Sequence, residues 1–319
     1  MRPSSLRARA AIVAAGALCI AATPGAAHAQ TPGTTTVRMG VEDRTLRFGQ
    51  RADVRGRVAG AGARRPVTLQ LGRSDGTWLA LAHGRTGADG RFRLRAAVPA
   101  TGPLRVVAHA AGDAQARAAE ATGGTPAASP PRRVAVAADV VPHRRRLNVL
   151  AGRRAVLRGA IRPAAAGRRV VLQRRSRGRW ATVARARTGA SGAFALRARV
   201  RTPLSAPVRV HVAGGDGLVA ARKRVGRLNV FRRALVSWYG PGLYGNHLGC
   251  GGTLRPGRLG VAHKTLPCGT RLTLRHGRRM VRVSVIDRGP YAGGREFDLT
   301  AATKDRLRFG GVGTVLVTR

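Results

Sequence analysis

The sequence contains few acidic residues, and this shortage dominates its composition. Only 13 of its 319 residues are Asp or Glu, against 59 Lys and Arg, so the formal net charge is +46. A surface of this kind attracts polyanions over about one Debye length, ~8–10 Å in ordinary salt. The charge therefore points to three partner classes: nucleic acid, anionic wall polymers and anionic lipid.

Long apolar runs are also missing, since no stretch offers the ~20 apolar residues that a transmembrane helix requires. The apolar run from Ala10 to Ala22 follows a basic start and precedes the small-x-small site Ala27-His28-Ala29. This pattern is typical of a secretory signal peptide over residues 1–29. Cys19 leaves a lipoprotein signal as an alternative, although the bulky Leu18 precedes it. We expect a secreted protein, extracellular or associated with the cell wall, with no transmembrane segment and no nucleic acid as its partner.

Cysteine is scarce, and only Cys250 and Cys268 remain after the predicted signal peptide. Outside the cytoplasm, an even pair of cysteines is most simply a disulfide. Closing a loop of this length would raise the free energy of unfolding by ~3 kcal/mol in the chain-entropy model. A metal site is the weaker alternative because no Cys-x-x-Cys or His-x-x-x-His spacing accompanies the pair. We expect neither a metal nor a cofactor.

The middle of the chain repeats itself at an interval of 102 or 103 positions. The matching elements are Arg55-Gly56 with Arg158-Gly159, Leu69-Gln70 with Leu172-Gln173, Trp78 with Trp180, Thr86-Gly87 with Thr188-Gly189, and Phe92 with Phe194. Apolar and polar residues alternate within each unit, as in Val67-Thr68-Leu69-Gln70-Leu71, and Gly-rich turns separate the alternating runs. This pattern predicts about seven short strands per unit. We expect two immunoglobulin-like β-sandwiches, over residues 34–113 and 134–220.

Two stretches have the composition of linkers. Residues 114–133 are rich in Ala, Pro, Gly and Thr, and residues 221–233 contain many arginines. Exposed arginines there would attract anionic wall polymers, and the alternative is a solvated charged surface with no specific partner. Trp78 and Trp180 could form a carbohydrate-binding platform. The alternative, which is commoner for aromatic residues, is that both side chains pack in or near the core.

Three of the few carboxylates lie within a dozen positions near the C terminus. Asp287 follows the alternation Val281-x-Val283-x-Val285, and Glu296 and Asp298 come shortly after a Gly-Pro turn. A cluster of acids in a chain so poor in them indicates a functional site, and Asp287 at a strand end would lie where a barrel groove opens. In the structural alternatives Asp287 caps the turn, Asp298 caps a helix that begins near Thr300, and Glu296 is solvated.

The region 234–319 differs from the repeats in its frequent glycines and its new alternation pattern. We count about six short strands and one helix, predicted from Thr300 to Phe309 with Gly310 as its stop. This content favours a small closed barrel.

Four ordered blocks in this region carry a resemblance to a known family. They are Ser237-Trp238-Tyr239-Gly240-Pro241-Gly242, Ala262-His263-Lys264-Thr265-Leu266-Pro267, Asp287-Arg288-Gly289-Pro290 and Asp298-Leu299. The region resembles the RlpA-like (rare lipoprotein A) double-psi β-barrel domains, whose fold is shared with expansins. With the repeats, the resemblance implies an all-β chain of two immunoglobulin-like sandwiches followed by a small six-stranded double-psi β-barrel with one short helix.

The resemblance also implies a function, because RlpA family members are lytic transglycosylases that act on peptidoglycan. It makes Asp287 and His263 the catalytic pair, although His263 also fits a purely structural role. The residues that it places against a glycan strand are Asp298, Tyr239, Trp238 and Ser237. One acid/base suffices for such an enzyme, because the C6 hydroxyl of muramic acid attacks the anomeric carbon and forms a 1,6-anhydro end.

Two other classes of function stay open. Relatives in the expansin branch bind or loosen glycan walls without clear hydrolysis, so a non-catalytic wall-binding protein is the alternative. A guanidinium of Arg288 lying against Asp287 would support it, because the guanidinium favours the ionised carboxylate whereas a general acid must hold a proton. The third class is an adhesion or scaffold protein in which the barrel is vestigial.

Overall fold

The structure is a computed structural model that describes residues 35–60, 64–110 and 126–319. These residues fold almost entirely into β-strands with one short helix, which confirms the all-β fold class. The predicted signal peptide over residues 1–29 lies outside the described residues, as does most of the predicted linker 114–133.

The first repeat is built from two sheets. Its strands are β1 (Thr36–Val41), β2 (Thr45–Arg47), β3 (Arg51–Ala59), β4 (Pro66–Gly72), β5 (Trp78–Arg85), β6 (Arg91–Ala97), β7 (Gly102–Ala108), β8 (Ala127–Ala128) and β9 (Arg132–Ala137). One sheet has the order β1-β3-β6 and the other has the order β2-β9-β7-β4-β5, with β8 beside β7. In β6, Phe92 and Leu94 are buried between exposed arginines, because successive side chains of a strand point to opposite faces. Both sheets contribute to one hydrophobic cluster, so the repeat is a β-sandwich.

The second repeat has the same arrangement. Its strands are β10 (Asp139–Arg146), β11 (Asn148–Leu150), β12 (Arg154–Arg162), β13 (Arg169–Ser176), β14 (Arg179–Arg187), β15 (Ala193–Arg199), β16 (Leu204–Val212) and the first part of β17 (Ala221–Tyr239). One sheet has the order β10-β12-β15, and the other contains β14-β13-β16-β17 with β11 parallel to β17. The duplication seen in the sequence is therefore a duplication of strand order. The immunoglobulin-like classification of both repeats stays a prediction.

Strand β17 runs without a break through residues 221–233, where composition predicted a linker. Its first part pairs with β16, and its second part pairs with strands of the C-terminal domain. The many arginines misled the prediction, because Val225, Leu228 and Val230 between them are buried and give the segment an apolar face. The end of the other predicted linker likewise holds β8 and the start of β9.

The C-terminal domain is a closed six-stranded barrel. Beyond β17 its elements are β18 (Val261–Ala262), β19 (Arg271–His276), β20 (Arg279–Asp287), β21 (Phe297–Thr300), helix α1 (Ala301–Leu307) and β22 (Gly313–Val317). The strand order is β17-β21-β18-β20-β19-β22, and β22 pairs again with β17, which closes the ring. Helix α1 begins after the predicted cap Thr300, whose hydroxyl accepts the N–H of Thr303, and it ends at Leu307. Arg308 takes the left-handed conformation expected of Gly310, so the helix is shorter than predicted.

Candidate functional site

Four residues lie side by side across four strands of the barrel. Ser237 on β17 pairs with Asp298 on β21, Asp298 pairs with Ala262 on β18, and Ala262 pairs with Asp287 at the end of β20. Neighbouring strands lie ~4.8 Å apart, so the backbones of the two aspartates are separated by about twice that distance. The fold thus brings together two acids that are eleven positions apart in the sequence.

The faces of these strands decide which side chains share the site. Phe297 and Leu299 are fully buried in the barrel core, so Asp298 between them points to the outer face. Ser237 and Tyr239 share that face of β17, since Val236 is buried in the core. The Ser237 hydroxyl donates a hydrogen bond to Oδ1 of Asp298.

The loop between β17 and β18 covers part of this outer face. Leu248 and Leu254 of the loop pack with Ile286 and Tyr239 in a small cluster separate from the barrel core. A disulfide joins Cys250 of the loop to Cys268, with 5.5 Å between their Cα atoms, which confirms the predicted pair. The disulfide therefore joins the loop to the segment between β18 and β19, and the backbone N–H of Cys250 donates to the carbonyl oxygen of Ile286 on β20.

The Asp287 carboxylate is fixed by the backbone. Its Oδ1 accepts hydrogen bonds from the N–H of Gly249 at 2.7 Å and from the N–H of Arg288 at 2.8 Å. A Cβ at position 249 would lie 2.8 Å from a side-chain carbon of Arg288 and 3.1 Å from Oδ1 of Asp287, so the close approach requires glycine. One oxygen is thus anchored, and Oδ2 receives no hydrogen bond of standard geometry from the described residues.

The hydroxyl of Tyr239 is buried beside the Asp287 carboxylate, and this contact falls short of standard hydrogen-bond geometry. Burial raises the pKa of Tyr239 well above its usual value, and the nearby carboxylates of Asp287 and Asp298 raise it further. The group therefore stays protonated at physiological pH. The hydroxyl is thus a buried donor placed beside the Asp287 carboxylate.

The side chain of His263 has partners of its own. Its backbone N–H donates to the carbonyl oxygen of Asp287 at 3.1 Å, which places the two residues side by side. Its ring Nδ1 accepts the N–H groups of Thr265 and Leu266 at 3.1 and 3.0 Å, so the proton of the neutral ring is assigned to Nε2. Burial lowers the pKa of His263, and a smaller opposite effect comes from Glu296. No hydrogen bond joins this ring to the Asp287 carboxylate within the described ranges.

Glu296 belongs to the acid cluster seen in the sequence, but its partners were not predicted. Its carboxylate forms two hydrogen bonds with the Arg232 guanidinium, one of them 2.7 Å long, and its Oε1 lies 3.9 Å from Nε2 of His263. The sequence predicted a solvated side chain. Arg232 stands 64 positions earlier, and no local signal could have revealed this pairing.

The guanidinium of Arg288 bonds away from the neighbouring Asp287. Its Nη1 donates to the carbonyl oxygens of His263 at 3.2 Å and of Leu266 at 2.9 Å, and its Nη2 lies 2.9 Å from the Cys268 sulfur. Arg288 therefore braces the segment that carries His263. The ion pair with Asp287 that would have favoured a non-catalytic site does not occur among the described residues.

Trp238 lies on the opposite face of β17 from the other predicted glycan contacts. It packs against the barrel core, and Nζ of Lys304 lies 4.1 Å from the ring centroid. The period of two residues along a strand explains this, since Ser237 and Tyr239 on either side face outward. The structure thus separates Trp238 from the site that the sequence predicted for it.

Two exposed tyrosines flank the site. Tyr244 follows β17 in the covering loop with 38% of its surface exposed, and Tyr291 follows the Gly-Pro turn after Asp287 with 80% exposed. The chain has only three tyrosines, and all three are in the barrel domain. This uneven distribution of tyrosines is the sequence signal that could have indicated Tyr244 and Tyr291 as residues near the site.

The described part of the chain contains no group of three or more His, Cys, Asp or Glu residues arranged to hold a metal ion. It also contains no helix with the length and apolarity needed to cross a membrane.

Residues 234–318 match a protein-family model described as lytic transglycolase. The C-terminal domain is an RlpA-like double-psi β-barrel. The matched residues coincide with the closed barrel and include every residue of the row from Ser237 to Asp287.

Curated relatives of this RlpA-like domain come from several bacteria. The probable endolytic peptidoglycan transglycosylase RlpA of Synechocystis sp. is 38% identical over 120 residues, which are 33% of this chain and 37% of that protein. The endolytic peptidoglycan transglycosylase RlpA of Campylobacter jejuni is 38% identical over 85 residues, 26% of this chain and 31% of the relative. The Yersinia pestis protein of the same name is 41% identical over 81 residues, which are 25% of this chain and 22% of that protein. The chain spans about a third of the length of the first of these relatives.

Among solved structures, the tetra-tandem repeat in the extending region of a large adhesion protein is similar to this chain. The alignment covers 89% of this chain and 73% of that structure, at 15% identity and a TM-score of 0.27. A similarity at this level carries no argument about the repeats.

Proposed function

We propose that the RlpA-like domain cleaves the glycan strands of peptidoglycan as a lytic transglycosylase, with Asp287 as its general acid/base. The observation that carries the proposal is the row of Ser237, Asp298, Ala262 and Asp287 on four neighbouring strands of a barrel that matches the family model. The curated relatives named above support the substrate class, since their printed names describe peptidoglycan transglycosylases.

The reaction needs one group that gives and then takes a proton. Asp287 donates a proton to the oxygen that links two sugars while the bond from that oxygen to the anomeric carbon breaks. The same carboxylate then accepts the proton of the muramic acid C6 hydroxyl, whose oxygen bonds to the anomeric carbon. The new strand end is a 1,6-anhydro sugar, and no water is consumed. The anchoring of Oδ1 by Gly249 and Arg288 leaves Oδ2 as the oxygen for both transfers.

The neighbouring side chains position the sugar. Oδ1 of Asp298 is engaged by Ser237, and its remaining acceptor capacity suits a sugar hydroxyl. The protonated Tyr239 hydroxyl lies beside the Asp287 carboxylate and holds that carboxylate in position for the sugar. His263 acts through Nε2–H as a neutral donor, since its Nδ1 already accepts two backbone N–H groups.

The place of action follows from the same proposal. A domain that acts on peptidoglycan must reach the wall, and the signal-peptide pattern of residues 1–29 would deliver it there. The net charge of +46 adds a general attraction for anionic wall polymers. We therefore propose a secreted, wall-associated protein.

The proposal is tested on peptidoglycan strands stripped of their peptides. The full chain should release soluble fragments with 1,6-anhydro ends, detected by mass spectrometry, and Asp287→Asn should reduce their rate at least ~100-fold because a general acid/base contributes that much. Asp305→Asn is the matched control, since Asp305 lies on α1 in the same domain with 69% of its side chain exposed. Equal activity of the Asp287→Asn variant and the control would contradict the role of Asp287.

The second candidate is a wall-binding protein without turnover. The observation in its favour is that two backbone N–H groups donate to Oδ1 of Asp287, so this carboxylate already has a structural role in holding the loop. In that case the protein would sediment with insoluble peptidoglycan, Asp287→Asn would sediment equally, and neither would release soluble fragments.

A further inference from the structure

Six arginines form a regular array on the outer face of the sheet β10-β12-β15. The strand registers pair Arg144 with Arg158 and Arg154 with Arg199, while Arg146 and Arg197 lie on either side of Val156. The array thus has three rows with two arginines each. All six are exposed, because the alternate residues of β12 and β15 fill the sandwich core.

No acidic side chain neutralises this array within the described residues. None of the six arginines forms a salt bridge there, and one of them, Arg199, donates from Nε to the carbonyl oxygen of Gly152 at 2.7 Å. The acid on β10, Asp139, stands at the far end of its strand, with Lys223 at 4.0 Å. The guanidinium groups therefore repel one another and stay free for an anion from outside.

The corresponding face of the first repeat does contain a carboxylate, so the absence of one is specific to the second repeat. On the matching sheet, Asp53 of β3 accepts hydrogen bonds from Arg93 and Arg95 and lies 3.4 Å from Arg55. The repeat alignment that matches Arg55 with Arg158 matches Asp53 with Val156. The two faces share strand order and arginine content, and the second repeat carries an apolar residue where the first carries its neutralising acid.

We propose that this array binds a linear polyol-phosphate chain, an anionic polymer whose phosphates are joined by short carbon units. Successive rows are two residues apart along β12, ~6.7 Å, and phosphates separated by a three-carbon unit recur at about the same interval in an extended chain. Arginine also binds phosphate through two parallel N–H groups, which favours phosphate over an isolated negative charge.

Other polyanions fit this face less well. Its exposed residues include no Phe, Tyr or Trp on which a base could stack, which argues against single-stranded nucleic acid. It carries no large exposed apolar residue that could enter a bilayer, which argues against an anionic membrane. The proposal is independent of the proposed transglycosylase activity, because the array lies in the second repeat and not in the barrel.

The experiment measures the binding of fluorescently labelled poly(glycerol phosphate) to the full chain by anisotropy at several salt concentrations. The test variant carries Arg144→Gln, Arg146→Gln, Arg158→Gln and Arg197→Gln. The matched control carries Arg38→Gln, Arg51→Gln, Arg57→Gln and Arg91→Gln on the corresponding face of the first repeat, so both variants lose the same charge. We expect the test variant to bind at least ~10-fold more weakly, with a log–log salt slope reduced by about 3, and the control to change less than ~3-fold.

A single substitution provides a second test that removes no arginine. Val156→Asp restores the acid of the first repeat and should weaken binding about 3-fold or more, whereas Val156→Asn should not. The proposal is overturned if both fourfold variants weaken binding equally, if neither does, or if Val156→Asp binds as tightly as Val156→Asn. It is also overturned if a single-stranded polynucleotide or vesicles with one-third anionic lipid bind the array more tightly than poly(glycerol phosphate).

Discussion

The two ring nitrogens of His263 have different partners, and this difference defines what the residue can do. Nδ1 accepts two backbone N–H groups, so protonating it would break both bonds, whereas Nε2–H faces Glu296. The ring is therefore a fixed donor rather than a proton acceptor at Nδ1. The sequence predicted the residue but could not predict its tautomer, which depends on the path of the backbone through Thr265 and Leu266.

Stability should depend on pH through His263. Burial lowers the pKa of His263 below its ordinary value of 6.5, so the unfolded chain takes up a proton at a higher pH than the folded chain. The free energy of unfolding should be highest above pH ~6.5 and should decrease as the pH falls below it. Urea unfolding between pH 7.5 and 5 measures this dependence.

The control for this prediction is His263→Gln. The pKa of His211 is also lowered, mainly by burial, so the variant should keep a weaker pH dependence of the same sign. If the free energy of unfolding changes with pH as steeply in the variant as in the original protein, His263 does not contribute to this dependence.

The Tyr239 hydroxyl offers a test that separates cleavage from stability. Tyr239→Phe removes a buried hydroxyl that forms no hydrogen bond of standard geometry with the described residues, so the free energy of unfolding should change by less than ~1 kcal/mol. Cleavage of glycan strands should slow, because the donor beside Asp287 is lost. A variant that loses stability while it cleaves glycan normally would show that the hydroxyl is structural.

At the scale of elements, the strands of the barrel could be predicted because alternation and turn residues are local signals. The alternation of Val281, Val283 and Val285 predicted β20, and Thr300 predicted the start of the helix. The role of residues 221–233 was not predictable in this way, because their strand is defined by partners on β16 and β22 that are distant in the sequence. The face on which Trp238 lies was not predictable either, because membership of a motif does not specify the face of a strand.

The covering loop depends on the disulfide between Cys250 and Cys268. Replacing both residues with serine should lower the free energy of unfolding by ~3 kcal/mol, the entropy of a closed loop of this length. Because Gly249 is next to Cys250 and donates to Asp287, cleavage of glycan strands should also fall. Thermal unfolding and the fragment assay measure the two effects, and full activity after complete reduction would contradict this link.

At the scale of the whole molecule, the second sandwich and the barrel are joined through β17. This strand pairs in the second repeat through Ala221–Val230 and in the barrel through Arg232–Tyr239. Arg232 on this strand holds Glu296, which faces His263. The second repeat is therefore connected to the candidate site by a paired strand rather than by a flexible linker, and the arginine-rich composition of this segment did not indicate it.

The central claim is that the RlpA-like domain breaks glycan strands by intramolecular attack with Asp287 as acid/base. The most direct measurement is digestion of stripped strands in water enriched in heavy oxygen, followed by mass spectrometry of the fragments. The account predicts anhydro ends without heavy oxygen from the full chain and from Asp305→Asn, and almost none from Asp287→Asn. Heavy oxygen in the new ends, or equal yields from the Asp287→Asn variant, would contradict it.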